Sequence, residues 1–170
     1  MKRSVPPIEG KRVRLRLLEE ADLEMTRAWR NQDHIRTHFF DSHVISAEAQ
    51  KAWFERYRDK EDDFVFVVEI RADCLPIGQC ALYHVDWQKK RGEFGRLMIG
   101  RIEQTRQGYA SEATGLLVEY ALKNLGLTEV YLNVFAANRA ACDMYTKCGF
   151  VPAASVDGRI EMRKAACDEA

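Results

Sequence analysis

Val13, Leu15 and Leu17 alternate with Arg12, Arg14 and Arg16, the period-two pattern of a half-buried strand. The spacing then changes. Glu19 to Arg30 carries Leu23, Ala28 and Trp29 on one helical face, and a polar and aromatic segment follows from Asn31 to His43. Ser46 is a suitable N-cap with Glu48 in the first turn, which predicts a helix running to about Asp59 with Ala49, Ala52, Trp53 and Tyr57 on one side. Phe64–Ile70 is an unbroken β-branched and aromatic run, hence a strand. After a turn over Asp73–Pro76, Ile77–Val85 and Gly92–Ile99 complete three short-linked strands, an antiparallel meander. Helical spacing returns over Ala110–Leu125, with Gly126 as its stop. Val130, Leu132 and Val134 alternate again. A helix over Asn138–Cys148 is stopped by Gly149, and Phe150–Val156 and Arg159–Arg163 form a hairpin through Asp157-Gly158.

The predicted order is strand, two helices, three strands, helix, strand, helix, two strands. It implies one mixed α/β (α+β) domain over residues 1–170, with about seven strands, four helices and a parallel step around the long helix. Apolar residues at 46% and charged residues at 31% fit an ordered globular chain. Lys plus Arg and Asp plus Glu both number 26, so no basic excess favours nucleic acid; Arg12, Arg14 and Arg16 are left as either a local patch or a solvated strand face. The five cysteines include no CxxC pair and predict neither a disulfide framework nor a metal site. No segment has the length of a signal peptide's apolar run or of a membrane span, so the expected location is cytoplasmic.

The candidate chemistry lies in Gln104-Thr105-Arg106-Gln107-Gly108-Tyr109-Ala110-Ser111-Glu112-Ala113, between a strand and a helix N-terminus. The first amides of a helix have no intrahelical partner, and the dipole adds partial positive charge, so such a loop suits a phosphate. Gly108 permits close approach and Arg106 adds a full charge. An ordinary strand-to-helix connection satisfies the same pattern. The loop lacks the Gly-Lys-Ser/Thr ending of a P-loop and the GxGxxG spacing of a dinucleotide fold.

Two segments carry a family resemblance. Leu97-Met98-Ile99-Gly100 followed by Thr105-Arg106-Gln107-Gly108-Tyr109-Ala110 resembles a (Gln/Arg)-x-x-Gly-x-(Gly/Ala) diphosphate loop, with Thr105 where Gln or Arg is usual. Asn138-Arg139-Ala140-Ala141-Cys142-Asp143-Met144-Tyr145-Thr146-Lys147-Cys148-Gly149-Phe150 is similar to Asn-x-x-Ala-x-x-x-Tyr-x-x-x-Gly-Phe. Together they resemble the GNAT superfamily of acetyl-CoA-dependent N-acetyltransferases over nearly the whole chain. The resemblance implies a mostly antiparallel sheet splayed open as an acetyl-CoA cleft. It implies that the pantetheine arm lies along the backbone of Met98, Ile99 and Gly100. The diphosphate would rest on the amides of Arg106, Gln107, Gly108, Tyr109, Ala110 and Ser111. Asn138 would hold the cofactor arm, although capping its own helix is sufficient reason for it. Tyr145, seven residues and two turns on, would protonate the leaving thiolate.

An attacking amine must lose a proton, and Glu93, His84 and Asp86 are the candidates to take it, with Glu93 placed first. Cys142 and Cys148 have no evident base, so direct transfer to a primary amine is expected. The segments around Trp29-Arg30-Asn31, Ile35-Arg36, Phe39-Phe40, Ile45-Ser46 and Trp53-Phe54 look similar to a branch that acetylates nucleotide-linked amino sugars or ribosomal-protein N-termini. The aromatic and histidine content of Asn31–His43, with His34, His38 and His43, tilts the expectation toward an amino sugar. A polyamine acceptor would want clustered carboxylates, and Glu61-Asp62-Asp63, the compact acidic run, reads as a turn. A non-catalytic acetyl-CoA-binding module is the reading from another class. A homodimer is compatible with all of these.

Overall fold

The computed structural model describes residues 4–167. Its strands are β1 (Ile8–Glu9), β2 (Val13–Leu17), β3 (Phe64–Ile70), β4 (Leu75–Asp86), β5 (Arg91–Ile99), β6 (Glu129–Phe135), β7 (Val151–Val156) and β8 (Arg159–Ala165). The helices are α1 (Leu23–Arg30), α2 (Asp33–Arg36), α3 (Ala47–Tyr57), α4 (Tyr109–Lys123) and α5 (Arg139–Lys147). All eight strands join one sheet in the order β1-β2-β3-β4-β5-β6-β8-β7, antiparallel at every pair except β5 with β6. The sequence expectation falls one strand and one helix short. A two-residue strand is too short to show alternation, and α2 is a single turn within the polar and aromatic segment.

Phe64, Phe66 and Val68 of β3 point into a core with Leu15, Leu82, Phe94 and the α4 residues Ala113 and Leu117. Val65 and Val67 point the other way, against Phe54 and Tyr57 of α3. Helices therefore cover both faces, which is why β3 reads as a continuous apolar run rather than an alternation. Trp29 of α1, Ile35 of α2 and Met98 of β5 form a third cluster on the α3 side. No helix among the described residues is long and apolar enough to cross a membrane.

The arginine row of β2 is neither a basic patch nor a solvated face. Arg14 and Arg16 place their Nε atoms 2.5 and 2.7 Å from the two oxygens of buried Glu69 on neighbouring β3. Arg16 also makes a bidentate pair with buried Asp22, at 2.7 and 2.8 Å. Burial works to raise the Asp22 carboxyl's pKa, but the Arg16 hydrogen bonds and the Glu19 amide outweigh it, and the net shift is downward. Asp22 therefore stabilises the fold fully above its unfolded value, about 3.9, and that contribution disappears as pH falls through the lower folded pKa.

Glu69→Ala would strand two partly buried guanidinium groups and is expected to cost about 3–5 kcal/mol in denaturant unfolding. A loss below about 0.5 kcal/mol would show a solvated network. Asp22→Asn should flatten the acid limb of the stability–pH curve below about pH 4, read from urea midpoints across pH.

Candidate active site

Strands β5 and β6 pair in register only over Arg91–Glu93 against Glu129–Tyr131, after which no ladder joins them. Beyond Glu93 they bound a cleft of about 260 Å³. A β-bulge helps to set this course. Gln79 opposes Met98 but Ala81 opposes Gly95, so β5 carries an extra residue at Arg96, whose φ is +51°. Buried Asp63 holds Arg96 in that conformation through bonds of 2.8 and 3.2 Å, and Arg96 lies 4.3 Å from the Tyr83 ring centroid. The acidic run read as a turn thus contributes a buried anchor.

The cleft is lined from both faces of the sheet. Tyr145, buried on α5, sits edge-on to Phe94 and Phe150 at 6.2 and 6.0 Å, and its hydroxyl makes no hydrogen bond among the described residues. Burial, with smaller effects from Cys148, Cys80 and Cys142, pushes its pKa upward, so it stays a neutral O–H donor. Asn138 caps α5 by accepting from the Ala141 amide at 3.2 Å and also lines the cleft. His38, Phe39, Phe40 and Asn133 complete the wall. The sequence signal for them was only their aromatic and polar character.

Glu93 is the last residue of β5 in register with β6, flanked across the sheet by Tyr83 on β4 and Tyr131 on β6. Its carboxylate accepts from Asn133 Nδ2 at 3.1 Å and lies 2.9 Å from His84 Nδ1. His84 reaches it from a second bulge, with φ at +49°. Burial and the Glu93 charge both push the hydroxyl pKa values of Tyr83 and Tyr131 upward. Asp86 lies outside this group: its Oδ1 accepts the Gln88 and Lys89 amides and closes the turn after β4.

At the other end of β5, the Gly100 N–H donates to Ile77 O at 2.7 Å and its carbonyl accepts from Gln32 at 3.2 Å. Backbone alternation then leaves Ile99, not Gly100, presenting its amide and carbonyl to the open side. A Cβ at Gly100 would lie 2.0 Å from the Trp29 ring, so glycine is required by packing there. The Met98 side chain is buried against Trp29 and Ile35.

The loop before α4 is built as a ring of donors. Arg106 and Gly108 both adopt left-handed φ, +59° and +83°, and Gly108 occupies the N-cap with no side chain to cap the helix. Among the described residues, no N–H from 106 to 111 donates to a protein acceptor. Thr105 turns inward, bonding Ile102 O at 2.7 Å. The loop is held from the start of β2: Arg12, just before the strand, donates to Gln107 O at 2.9 Å and to Glu112 at 3.1 Å, while Glu112 Oε1 accepts the Arg12 and Val13 amides. Burial opposes ionisation of Glu112, but these donors prevail and lower its pKa. Ser111 contacts Cys148 at 3.7 Å, bringing the loop against the end of the helix that carries Tyr145. Cys142 points at Phe135 O, 3.7 Å away, rather than at a base.

A second cavity, of about 300 Å³, lies on the opposite face between α1, α3 and strands β4 and β5. Arg96 and Phe39 line both spaces. Among the described residues no cluster of His, Cys, Asp and Glu is placed to hold a metal ion.

Residues 12–151 match the family model described as acetyltransferase (GNAT) domain. The chain belongs to the GNAT acetyltransferase family. As a GNAT member it is an N-acetyltransferase whose acyl donor is acetyl-CoA, and the free amides of 106–111 and the open edge at Ile99 fit that donor. The chain is similar to spermidine N(1)-acetyltransferase of Vibrio cholerae, at 27% identity over 137 residues, 81% of this chain and 78% of that protein. A crystal structure of Vibrio cholerae spermidine N-acetyltransferase with CoA and spermine superposes with a TM-score of 0.83 at 23% identity, covering 91% of this chain and 96% of that one. The apo structure of FdhC, a nucleotide-linked sugar GNAT, gives a TM-score of 0.82 at 23% identity, over 94% and 89%.

Gly108→Val is expected to weaken acetyl-CoA binding about tenfold or more, because a left-handed φ costs a side-chain-bearing residue about 1–2 kcal/mol and its Cβ would press on Arg12. Unchanged affinity in calorimetry would separate the loop from the cofactor.

Proposed function

We propose that this enzyme acetylates the primary amine of a small acceptor that carries negative charge, a nucleotide-linked amino sugar being the class that fits best. The carrying observation is the composition of the second cavity. It is lined by Arg30 and Arg96, by the rings of Phe39 and Trp53, and by Thr26, Gln50 and Gln79, with no carboxylate among its lining residues. A polyammonium chain seated there would meet the Arg30 guanidinium and no carboxylate in the lining. A phosphorylated sugar would meet cations, amides and flat apolar faces, the groups that recognise it. The second reading is a polyamine acceptor, favoured by the likeness to the spermidine acetyltransferase of Vibrio cholerae.

In the reaction, acetyl-CoA supplies the acetyl group as a thioester. The loop 106–111 holds its diphosphate, Ile99 and the neighbouring β5 backbone pair with its pantetheine arm as an added strand would, and Asn138 borders that arm. Glu93 accepts the proton of the acceptor ammonium, directly or through water, freeing the lone pair that forms the new C–N bond. His84 and Asn133 fix the carboxylate's orientation. As the C–S bond breaks, the Tyr145 hydroxyl gives its proton to the departing sulfur, and the surplus proton of the newly acylated nitrogen passes through water to the tyrosinate, restoring the hydroxyl. Its upward-shifted pKa keeps that proton available across the working pH range.

Thiol release from acetyl-CoA across UDP- and dTDP-amino sugars, short N-terminal peptides and polyamines tests the acceptor class. Activity confined to spermidine would replace the first reading with the second. Glu93→Gln is expected to lower kcat about 10²–10⁴-fold with acetyl-CoA affinity retained, and Tyr145→Phe should lower turnover much more than affinity. A wild-type rate for Tyr145→Phe would reduce Tyr145 to a packing residue.

A further inference from the structure

The arginines on or just before β2 and those named on β5 are matched to carboxylates: Arg12 to Glu112, Arg14 and Arg16 to Glu69, Arg16 also to Asp22, Arg96 to Asp63, and Arg91, whose Nε is also buried without a partner, to Glu129. Arg27, one turn before Arg30 on α1, pairs with Glu24. Arg30 differs. No ion pair joins it among the described residues. Its Nη2 donates to the Asp41 carbonyl, its guanidinium carbon lies 4.1 Å from the Phe39 ring centroid, and its Nη1 is buried with no acceptor at all. Burial pulls its pKa down, with Asp41 opposing and Arg36 adding to the shift; guanidinium nonetheless stays protonated in proteins.

A guanidinium N–H that is itself buried and has no acceptor is costly unless something brings one. Arg30 is not there by default, since a helix-surface arginine can extend its head into solvent. Here the Asp41 carbonyl and the Phe39 face keep it at the wall of the second cavity. Arg96, on the same wall, has its charge matched by Asp63, so Arg30 supplies the uncompensated charge. Trp53 lines the space too, stacked on Tyr57 at 4.8 Å, and gives it a rigid flat surface.

We propose that the second cavity is the subsite for the phosphate-bearing, nucleotide end of the acceptor, with Arg30 Nη1 as the donor to a phosphate oxygen and Trp53 beside the base. This rests on the acceptor reading above. It separates the two phosphate-bearing substrates by face: the free amides before α4 serve acetyl-CoA, and Arg30, on the α1–α3 side, serves the acceptor.

The test compares wild type with Arg30→Met and Arg30→Gln, the latter keeping a donor for the Asp41 carbonyl. Steady-state kinetics would use a UDP- or dTDP-amino sugar and the same amino sugar without its nucleotide. Calorimetry would follow UDP binding to enzyme saturated with acetyl-CoA, so that UDP cannot occupy the acyl-donor site. Losing a charge-assisted hydrogen bond should raise KM for the nucleotide-linked acceptor about 10–100-fold. The effect on kcat should be much smaller, with no change for the free amino sugar and none in acetyl-CoA affinity. UDP binding should weaken in parallel. Equal KM values in well-folded variants would overturn the assignment, as would a matching loss of acetyl-CoA affinity, which would give the phosphate to the donor. Arg30-dependent UDP binding without turnover of any nucleotide-linked amino sugar would sustain the phosphate subsite and remove the acceptor reading instead.

Discussion

The separation of β5 from β6 is the constraint on which the rest depends. Three residues of parallel pairing fix the two strands at one end, and beyond Glu93 the inner edge of β5 has no strand to satisfy it. Unpaired backbone groups are costly when buried, so an opening inside a sheet persists only where something else stabilises both walls. Here the Arg96 bulge, its Asp63 anchor and the aromatic residues from α2 onward provide that support. A ligand lying along β5, as proposed for the pantetheine arm, would complete the ladder. The residues proposed for proton transfer fall on either side of the gap: Glu93 with Tyr83 and Tyr131 in a row across three strands, and Tyr145 on the helix packed against Phe94.

Charge placement in the fold follows a simple division. The arginines that brace strands are matched by carboxylates with both partners partly or largely buried, in keeping with a formally neutral chain. At the loop proposed for the diphosphate, the free donors are backbone amides; Arg12 is spent on Glu112 and the Gln107 carbonyl. At the second cavity the free donor is the Nη1 of Arg30. Alternating Arg12, Arg14 and Arg16 looked like a surface feature because their partners, Glu112, Glu69 and Asp22, lie far along the chain or beyond a turn.

Much of the fold was legible because its signals are local. Alternation marked β2 and β6, the apolar run marked β3, and Gly126, Gly149 and Asp157-Gly158 punctuated the second half correctly. The loop before α4 and the Asn138–Phe150 segment could be read because short-range backbone chemistry sets them. What stayed hidden was long-range. Bulges at His84 and Arg96 leave no trace in composition, yet they bring His84 to Glu93 and Arg96 to Asp63. The need for glycine at position 100 comes from Trp29, on another element, and Asp86 resembled a base only because its turn amides are invisible in one dimension. The expected backbone contacts of Gly100 meet a strand that already uses both of its groups.

Arg96 is common to the walls of both cavities, and it is held in a left-handed conformation that a residue with a side chain adopts at a cost of about 1–2 kcal/mol. A strained residue whose side chain lines two cavities fixes the shape of both. A shift of its side chain alters the shape of both spaces together. Filled as proposed, the two spaces would share one wall, in which Asp63 holds Arg96 and the Phe39 ring backs the Arg30 guanidinium.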